Sequence, residues 1–275
     1  MSKIKLFATD IDNTLINSEE KVTLRVKEAI LEAKKQGVKI VLCTGRPLSG
    51  IKHILQDLGL DNQDDEFVVC FGGALVQSTS GKVLYQKELS YAEYMELEFL
   101  ARKYDIYLQM ESMDRIYVAN RDLSLYSSQI SNRTSLPISF RTPEEMKDIH
   151  SIKAMYISEP DKLIKLENDM YAGKFDNLVE RLTFSKSKPF LFEANAKNVT
   201  KAQGLQVLSH ELKIKPTEMM TIGDQQNDES MIELAGVGVA MENGISTLKQ
   251  KADYITTDNN HDGVAAALEK FVLKG

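Results

Sequence analysis

Short apolar runs alternate with amphipathic segments along the first part of the chain, and this alternation restricts the fold more than any other feature. Ile4–Thr9, Val38–Cys43 and Phe67–Cys70 are such runs, and helical patterns such as Thr23–Gln36 separate them. Strands that are apolar on both faces are typical of parallel sheets covered by helices on both sides. The pattern therefore predicts an α/β fold with a Rossmann-like, doubly wound parallel sheet.

The alternation stops after Gly72 and Gly73, where two short runs flank a turn and predict a β-hairpin. A mixed series of predicted helices and strands follows, and the doubly wound pattern resumes before the strand Met219–Ile222. We expect a core built from residues 1–86 and 188–275. Residues 87–187 would form an inserted α+β cap domain, since that length is typical of a small domain.

The overall charge limits the partners that this chain can bind. Its formal net charge is −6 and its pI is near 5.4, whereas nucleic acids and anionic membranes are bound by clustered Lys and Arg. We therefore expect no nucleic-acid and no membrane partner. Cys43 and Cys70 each end an apolar run, which is typical of buried free thiols in a reducing compartment. No apolar stretch typical of a signal peptide follows the first residue, so we expect a cytoplasmic protein.

Polar residues that follow the predicted strands are the candidates for a site, because ligands bind beyond the carboxyl ends of parallel strands. A single Asp-x-Asp among 40 acidic residues is a weak motif. The whole set is more specific, and its members are Asp10-Ile11-Asp12, Thr44-Gly45-Arg46, Lys201, Gly223-Asp224 and Asn227-Asp228.

The carboxylates in this set predict a metal site. Asp10, Asp12, Asp224 and Asp228 are expected to converge on one edge of the sheet, where like charges repel unless a cation neutralises them. Oxygen ligands with room for water and phosphate suit Mg²⁺, and the His and Cys ligands typical of zinc do not occur in the set. We therefore expect Mg²⁺ as the cofactor.

Four segments follow one another along the chain: Asp10-Ile-Asp-Asn-Thr-Leu15, Thr44-Gly-Arg46, Lys201 and Gly223-Asp-Gln-Gln-Asn-Asp228. They resemble the four ordered motifs of the haloacid dehalogenase superfamily. The large predicted cap resembles that of its Cof-like branch. The resemblance implies a magnesium-dependent phosphatase that hydrolyses phosphate monoesters of small metabolites, most often sugar phosphates. In the family the cap selects the substrate, and this cap has no recognisable motif.

The resemblance also implies roles for individual residues. Asp10 would be the nucleophile that accepts the phosphoryl group, and Asp12 would protonate the leaving oxygen and then activate water. The metal ligands would be the carboxylates of Asp10 and Asp224 and the backbone carbonyl of Asp12. Asp228 would orient Lys201 and metal-bound water. The implied phosphate-binding residues are Ile11, Thr44, Gly45, Lys201 and Asn227.

Arg46 stays outside the catalytic set, because it could contact phosphate or pair with a neighbouring carboxylate. Two loops depart from the usual family pattern and leave substrate contacts open. Gly72-Gly73-Ala74 stands where many relatives have Asn-Gly-Ala, and Glu242-Asn243-Gly244 stands where they have Gly-Asn-Ala.

Three other functions remain as alternatives. A phosphomutase of the same fold would return the phosphoryl group to the substrate. A non-catalytic protein that binds phosphate or metal would have no use for Asp12 as a second carboxylate. A calcium loop is compatible with the spacing from Asp258 to Glu269, but the residues before it predict a strand, and Asp262 could cap the last helix instead. The sequence pattern does not indicate whether the protein is a monomer or an oligomer.

Overall fold

The computed structural model describes residues 3–175 and 178–274, with Ser187 as backbone alone. The chain divides into two units, which we call the core unit and the cap unit. The core unit joins Met1–Tyr85 to Thr200–Gly275, and the cap unit is the intervening Gln86–Val199.

Strands and helices alternate through most of the described residues. The strands are β1 (Leu6–Thr9), β2 (Lys39–Cys43), β3 (Phe67–Cys70), β4 (Leu75–Ser78), β5 (Val83–Gln86), β6 (Tyr107–Glu111), β7 (Ile116–Val118), β8 (Ile138–Phe140), β9 (Lys153–Ile157), β10 (Leu182–Lys188), β11 (Leu191–Ala196), β12 (Met219–Gly223), β13 (Val237–Ala240) and β14 (Tyr254–Ile255). The α-helices are α1 (Leu24–Lys35), α2 (Lys52–Asp57), α3 (Tyr91–Tyr104), α4 (Leu125–Thr134), α5 (Pro160–Tyr171), α6 (Leu178–Arg181), α7 (Lys201–Leu212), α8 (Glu229–Leu234), α9 (Ser246–Lys251) and α10 (Gly263–Leu268). Among these described helices, none has the length and apolar character that crossing a membrane requires.

The core sheet has β1 near its middle, in the strand order β14-β13-β12-β1-β2-β3-β4-β5. Leu6 of β1 lies opposite Lys39 of β2 and Met219 of β12, and both pairings are parallel. β4 turns back antiparallel to β3, and β4 and β5, the two strands of the predicted hairpin, are neighbours at the edge of the sheet. Because parallel strands end at the same edge of a sheet, the segments that follow β1, β2 and β12 meet at that edge.

Both faces of the core sheet are buried. Leu6 and Ala8 pack in one apolar cluster with Leu205 of α7 and Met231 of α8. Phe7 lies between them in sequence, so it points to the opposite face, and it is fully buried as well. On that face α1 packs against β2 and α10. The prediction of a doubly wound α/β core is confirmed.

The cap unit is built on a second, mixed sheet with the order β10-β11-β9-β6-β7-β8. β9 pairs antiparallel with β6 and β11. α3 lies on one face, where the Tyr156 hydroxyl donates a hydrogen bond to the Leu97 carbonyl at 2.9 Å. α4 lies on the other face, where Ile130 packs with Met155 and Ile157. This architecture is the α+β type that the sequence predicts for the insertion.

The second boundary between the units differs from the expected one. The sequence pattern predicts that the core resumes at residue 188, but β10 and β11 form a hairpin whose turn contains Pro189. β11 also pairs with β9, so it is an inner strand of the cap sheet, and the cap unit extends to Val199. The first boundary lies after Tyr85, one residue before the expected position.

Candidate active site

Asp10, Lys201 and Asp228 form a buried ion-paired cluster beyond the carboxyl end of β1. The Lys201 ammonium donates to Oδ1 of Asp10 at 2.5 Å and to Oδ1 of Asp228 at 2.6 Å. One carboxylate oxygen from each of Asp10, Asp224 and Asp228 lies within 4.8 Å of the others. Residues 191 positions apart in the chain therefore meet in one buried cluster of the core unit.

Asp10 is held where β1 ends and the chain turns. Its N–H donates to the Ile222 carbonyl of β12 at 3.0 Å, which extends the parallel pairing by one residue. Asn13 then adopts a left-handed conformation with φ 59°, which asparagine tolerates better than most residues. The turn brings the Thr14 hydroxyl to Asp224, where it donates to Oδ1 at 3.0 Å.

Lys201 is the first residue of α7, and a glycine allows this helix to approach the loop after β3. Thr200 caps α7 by accepting a hydrogen bond from the Gln203 N–H at 3.2 Å. A Cβ atom on Gly73 would lie 1.9 Å from the Thr200 carbonyl oxygen, and Gly73 has φ +108°. A side chain at this position would push the start of α7, and with it Lys201, away from Asp10.

Asp224 and Asp228 are joined by a tight turn after β12. Oδ2 of Asp228 accepts hydrogen bonds from the N–H groups of Asp224 at 2.9 Å and Gln225 at 3.0 Å. A Cβ atom on Gly223 would lie 2.4 Å from Cγ of Asp228. Glycine at 223 therefore lets the Asp228 carboxylate lie over the strand end, where it reaches Lys201.

The electrostatics of the cluster fit a bound cation. Burial raises the pKa of Asp10 above the ordinary carboxyl value, Asp228 and Asp224 add to this effect, and Lys201 opposes it. Burial and the neighbouring Asp228 raise the pKa of Asp224 to about 6. Burial alone would lower the pKa of Lys201, but Asp10 and Asp228 outweigh it and raise that pKa. Three carboxylates thus face one ammonium, and this oxygen-donor set suits a hard divalent ion.

Comparison with known proteins identifies the family. The family model described as haloacid dehalogenase-like hydrolase matches residues 7–268. The chain belongs to the haloacid dehalogenase-like hydrolases. The crystal structure of such a hydrolase from Bacteroides thetaiotaomicron has a TM-score of 0.85 and 30% identity, covering 98% of this chain and 99% of that one.

Curated relatives of this haloacid dehalogenase-like hydrolase have phosphatase names. A Streptococcus pyogenes protein with a provisional phosphatase name is 39% identical, over 98% of this chain and 99% of that protein. The 5-amino-6-(5-phospho-D-ribitylamino)uracil phosphatase YcsE of Bacillus subtilis is 28% identical, over 98% of this chain and 96% of its own length. The resemblance inferred from the motifs is confirmed, and the chain is a hydrolase of this family.

The other predicted site residues of this hydrolase differ in their exposure. Thr44 and Ile11 are buried, Gly45 is half-buried and Asn227 is exposed. The Thr44 hydroxyl accepts a hydrogen bond from the Arg46 N–H at 3.2 Å, which fixes the loop after β2. The half-exposed carboxylate of Asp12 is paired with the Arg46 guanidinium. Arg46 thus takes the carboxylate-pairing role, one of the two that the sequence leaves open.

Two loops that depart from the family pattern support the site. Gly73 permits the approach of α7, as described above. The Asn243 side-chain amide donates to the Asn13 carbonyl at 2.8 Å, and its oxygen accepts from the Asn259 N–H at 3.2 Å. One feature of the sequence places both loops near the site, since each loop follows a predicted core strand. The residues that act in these loops, Gly73 and Asn243, carry no charge, so they lack the signal by which a site is usually found in a sequence.

The residues of the alternative calcium loop have other partners in this hydrolase. Both carboxylate oxygens of Glu269 accept hydrogen bonds from Arg25, at 3.1 Å each. Asp262 precedes α10, but its side chain makes no capping hydrogen bond and instead accepts from the Thr23 hydroxyl at 2.6 Å. Asp262 therefore occupies the N-cap position of α10 as expected, but its side chain does not cap the helix. The segment before the loop contains the strand β14, as predicted.

Proposed function

We propose that this hydrolase is a magnesium-dependent phosphatase that transfers a phosphoryl group from a small metabolite to Asp10 and then to water. The observation that supports the proposal most strongly is the buried contact between Lys201 and Asp10. A buried carboxylate paired with an ammonium is a nucleophile placed beside a group that can bind the phosphoryl oxygens.

In the first half-reaction, an oxygen of Asp10 attacks phosphorus in line with the leaving oxygen. Five groups would donate hydrogen bonds to the phosphoryl oxygens. They are the Lys201 ammonium, the Thr44 hydroxyl, the Asn227 amide and the backbone N–H groups of Ile11 and Gly45. As the ester P–O bond breaks, Asp12 gives its proton to the leaving oxygen, and the alcohol departs neutral.

In the second half-reaction, water attacks phosphorus of the acyl phosphate on Asp10. Asp12, now deprotonated, takes a proton from that water as the new P–O bond forms. The bond between phosphorus and the Asp10 oxygen breaks, which releases inorganic phosphate and regenerates both carboxyl groups. One side chain therefore serves as acid and then as base, and the reaction needs no other proton carrier.

The carboxylates of Asp10 and Asp224 and the backbone carbonyl of Asp12 would hold Mg²⁺. Asp228 would stay outside this ligand set, because its oxygens already accept from Lys201 and from two N–H groups. The bound ion would supply positive charge to the carboxylate nucleophile and the phosphoryl oxygens.

The substrate class that we propose is phosphate monoesters of small polyhydroxylated metabolites, with sugar phosphates first. The name of the relative YcsE describes a substrate that carries its phosphate on a ribityl chain, which is a sugar alcohol. We further propose that the protein acts in the cytoplasm, where its buried thiols Cys43 and Cys70 would stay reduced.

A panel of phosphate monoesters, each assayed with Mg²⁺ and with EDTA, tests this proposal by the inorganic phosphate released. We expect turnover of several sugar phosphates with Mg²⁺ and none with EDTA, and added Mg²⁺ should restore the activity. Conversion of a sugar phosphate to an isomer without phosphate release would instead identify a mutase. If no compound of the panel released phosphate or was converted to an isomer, the proposed enzymatic activity on these compounds would be contradicted.

A further inference from the structure

Asn243 joins two segments of the active site that are far apart in sequence. It lies in the loop that follows β13, and its side-chain amide donates to the Asn13 carbonyl at 2.8 Å. The same loop holds the backbone of Asp224, because the Ile245 N–H donates to the Asp224 carbonyl at 2.9 Å. Asn13 follows Asp12, which would offer its carbonyl to Mg²⁺, and Asp224 would offer its carboxylate. The loop after β13 therefore contacts both segments that carry proposed ligands.

The hydrogen bond from Asn243 reaches the residue whose backbone shapes the turn after β1. Asn13 has φ 59° and ψ 12°, a left-handed conformation that residues with a side chain keep only where surrounding contacts support it. Rotation about the Asn13 backbone would turn the preceding Asp12 carbonyl away from its present direction. It would also shift the Thr14 hydroxyl, which donates to Oδ1 of Asp224 at 3.0 Å. Holding the Asn13 carbonyl therefore restricts two of the proposed ligands together.

A second asparagine holds Asn243 and the far side of the same turn. Oδ1 of Asn243 accepts from the Asn259 N–H at 3.2 Å, and the Asn259 side-chain amide donates to the Ile16 carbonyl at 3.0 Å. Asn259 is buried, and Asn243 is exposed but has both polar atoms of its side chain bonded. Because amides are neutral, this pair fixes the turn without adding charge to the carboxylate cluster.

We propose that Asn243 is a positioning residue for the divalent ion, which holds the Asp12 carbonyl and the Asp224 carboxylate in the relative orientation that binds Mg²⁺. The inference rests on the proposed magnesium-dependent function. Mg²⁺ demands a near-ideal octahedral arrangement of its ligands, so small displacements weaken its binding. Asn243 acts through the Asn13 backbone rather than by contact with the ion or the substrate.

Direct metal binding tests the inference separately from turnover. Mn²⁺ is titrated into the substrate-free protein, free Mn²⁺ is measured from its EPR spectrum, and competition with Mg²⁺ gives the dissociation constant of Mg²⁺. For Asn243→Ala we expect this constant to rise about tenfold or more, as is typical when a residue that orients metal ligands is lost. At saturating Mg²⁺ the kcat of this variant should return to within about threefold of wild type, because the ligands themselves are intact.

Asn243→Asp separates the effect of geometry from that of charge. Aspartate has nearly the same shape and can still accept from the Asn259 N–H, but its carboxylate cannot donate to the Asn13 carbonyl. The added negative charge alone would strengthen Mg²⁺ binding, whereas loss of the hydrogen bond should weaken it. We expect Mg²⁺ to bind this variant more weakly than wild type.

Asn260→Ala is the matched control. Oδ1 of Asn260 accepts from the Ser18 N–H at 3.0 Å, so this side chain also links an asparagine to the segment after β1, but beyond the turn. Its loss should leave the Mg²⁺ dissociation constant within about twofold of wild type, as for most surface substitutions.

Four results would overturn the inference. They are an unchanged Mg²⁺ dissociation constant in Asn243→Ala, a loss of kcat in that variant that saturating Mg²⁺ does not restore, tighter binding in Asn243→Asp, and an equal weakening in Asn260→Ala. If neither Mn²⁺ nor Mg²⁺ bound to the wild-type protein, the proposed magnesium-dependent function would itself fail, so the two failures are distinguishable.

Discussion

Replacing Asp10 with Asn is expected to abolish phosphate release, with a loss on the order of 10⁴-fold or more in kcat. The amide that results is neutral and cannot form the acyl phosphate through its oxygen at a useful rate. The measurement is inorganic phosphate released from the best substrate of the panel in saturating Mg²⁺.

Thermal unfolding separates this loss from misfolding. Burial raises the pKa of Asp10 above its unfolded value, so the unfolding free energy of the metal-free protein falls as the pH rises from that unfolded value to the raised one. A neutral residue of the same size should therefore leave the unfolding temperature in EDTA unchanged or higher. Asp65→Asn, at an exposed surface carboxylate of the core unit, is the control and should keep wild-type turnover. Comparable turnover by Asp10→Asn and wild type would remove Asp10 as the nucleophile.

Replacing Lys201 with Met is expected to affect both rate and stability. The side chain is fully buried and pairs with Asp10 and Asp228, so the variant leaves two buried carboxylates without their ammonium. Removing one partner of a buried ion pair typically costs roughly 3–5 kcal/mol of unfolding free energy. Losing a preorganised donor to the phosphoryl group should lower kcat by about 10²–10³-fold. Urea unfolding in EDTA and steady-state kinetics in Mg²⁺ measure the two effects.

Lys251 provides a matched control for that experiment. It also bridges two carboxylates of the core unit, Glu229 at 2.8 Å and Glu233 at 3.0 Å, but at the surface. Lys251→Met should change neither kcat nor the urea midpoint appreciably, because exposed ion pairs contribute little. If Lys201→Met matched Lys251→Met in both measurements, Lys201 would have no part in the site.

The core and the position of its site follow from local patterns in the sequence. β1, β2, β3 and β12 are mainly apolar, and each ends at or beside a polar or glycine-rich segment. Periodicity and turn residues suffice to predict such strands. Parallel pairing then brings their ends together, so residues as distant as Asp10 and Asp224 are predicted to meet without any knowledge of side-chain packing.

Features that depend on packing between distant segments were not predictable in this way. β11 alternates apolar and polar residues beside Pro189, and only its pairing with β9 shows that it belongs to the cap sheet. The pairing of Arg46 with Asp12 requires the loops after β1 and β2 in three dimensions. The need for glycine at position 73 arises from the carbonyl of Thr200, which is remote in sequence.

If the phosphoryl group passes through Asp10, borohydride trapping should detect the acyl phosphate on that residue. Borohydride reduces an acyl phosphate of aspartate to homoserine, so the enzyme is mixed with p-nitrophenyl phosphate and Mg²⁺, quenched, reduced and digested for mass spectrometry. Asp12→Asn, which should slow hydrolysis of the intermediate, is treated in parallel. We predict homoserine at position 10 in samples with substrate, more of it in Asp12→Asn, and none with EDTA. Steady turnover by the wild-type enzyme with unmodified Asp10 in every sample would contradict the account.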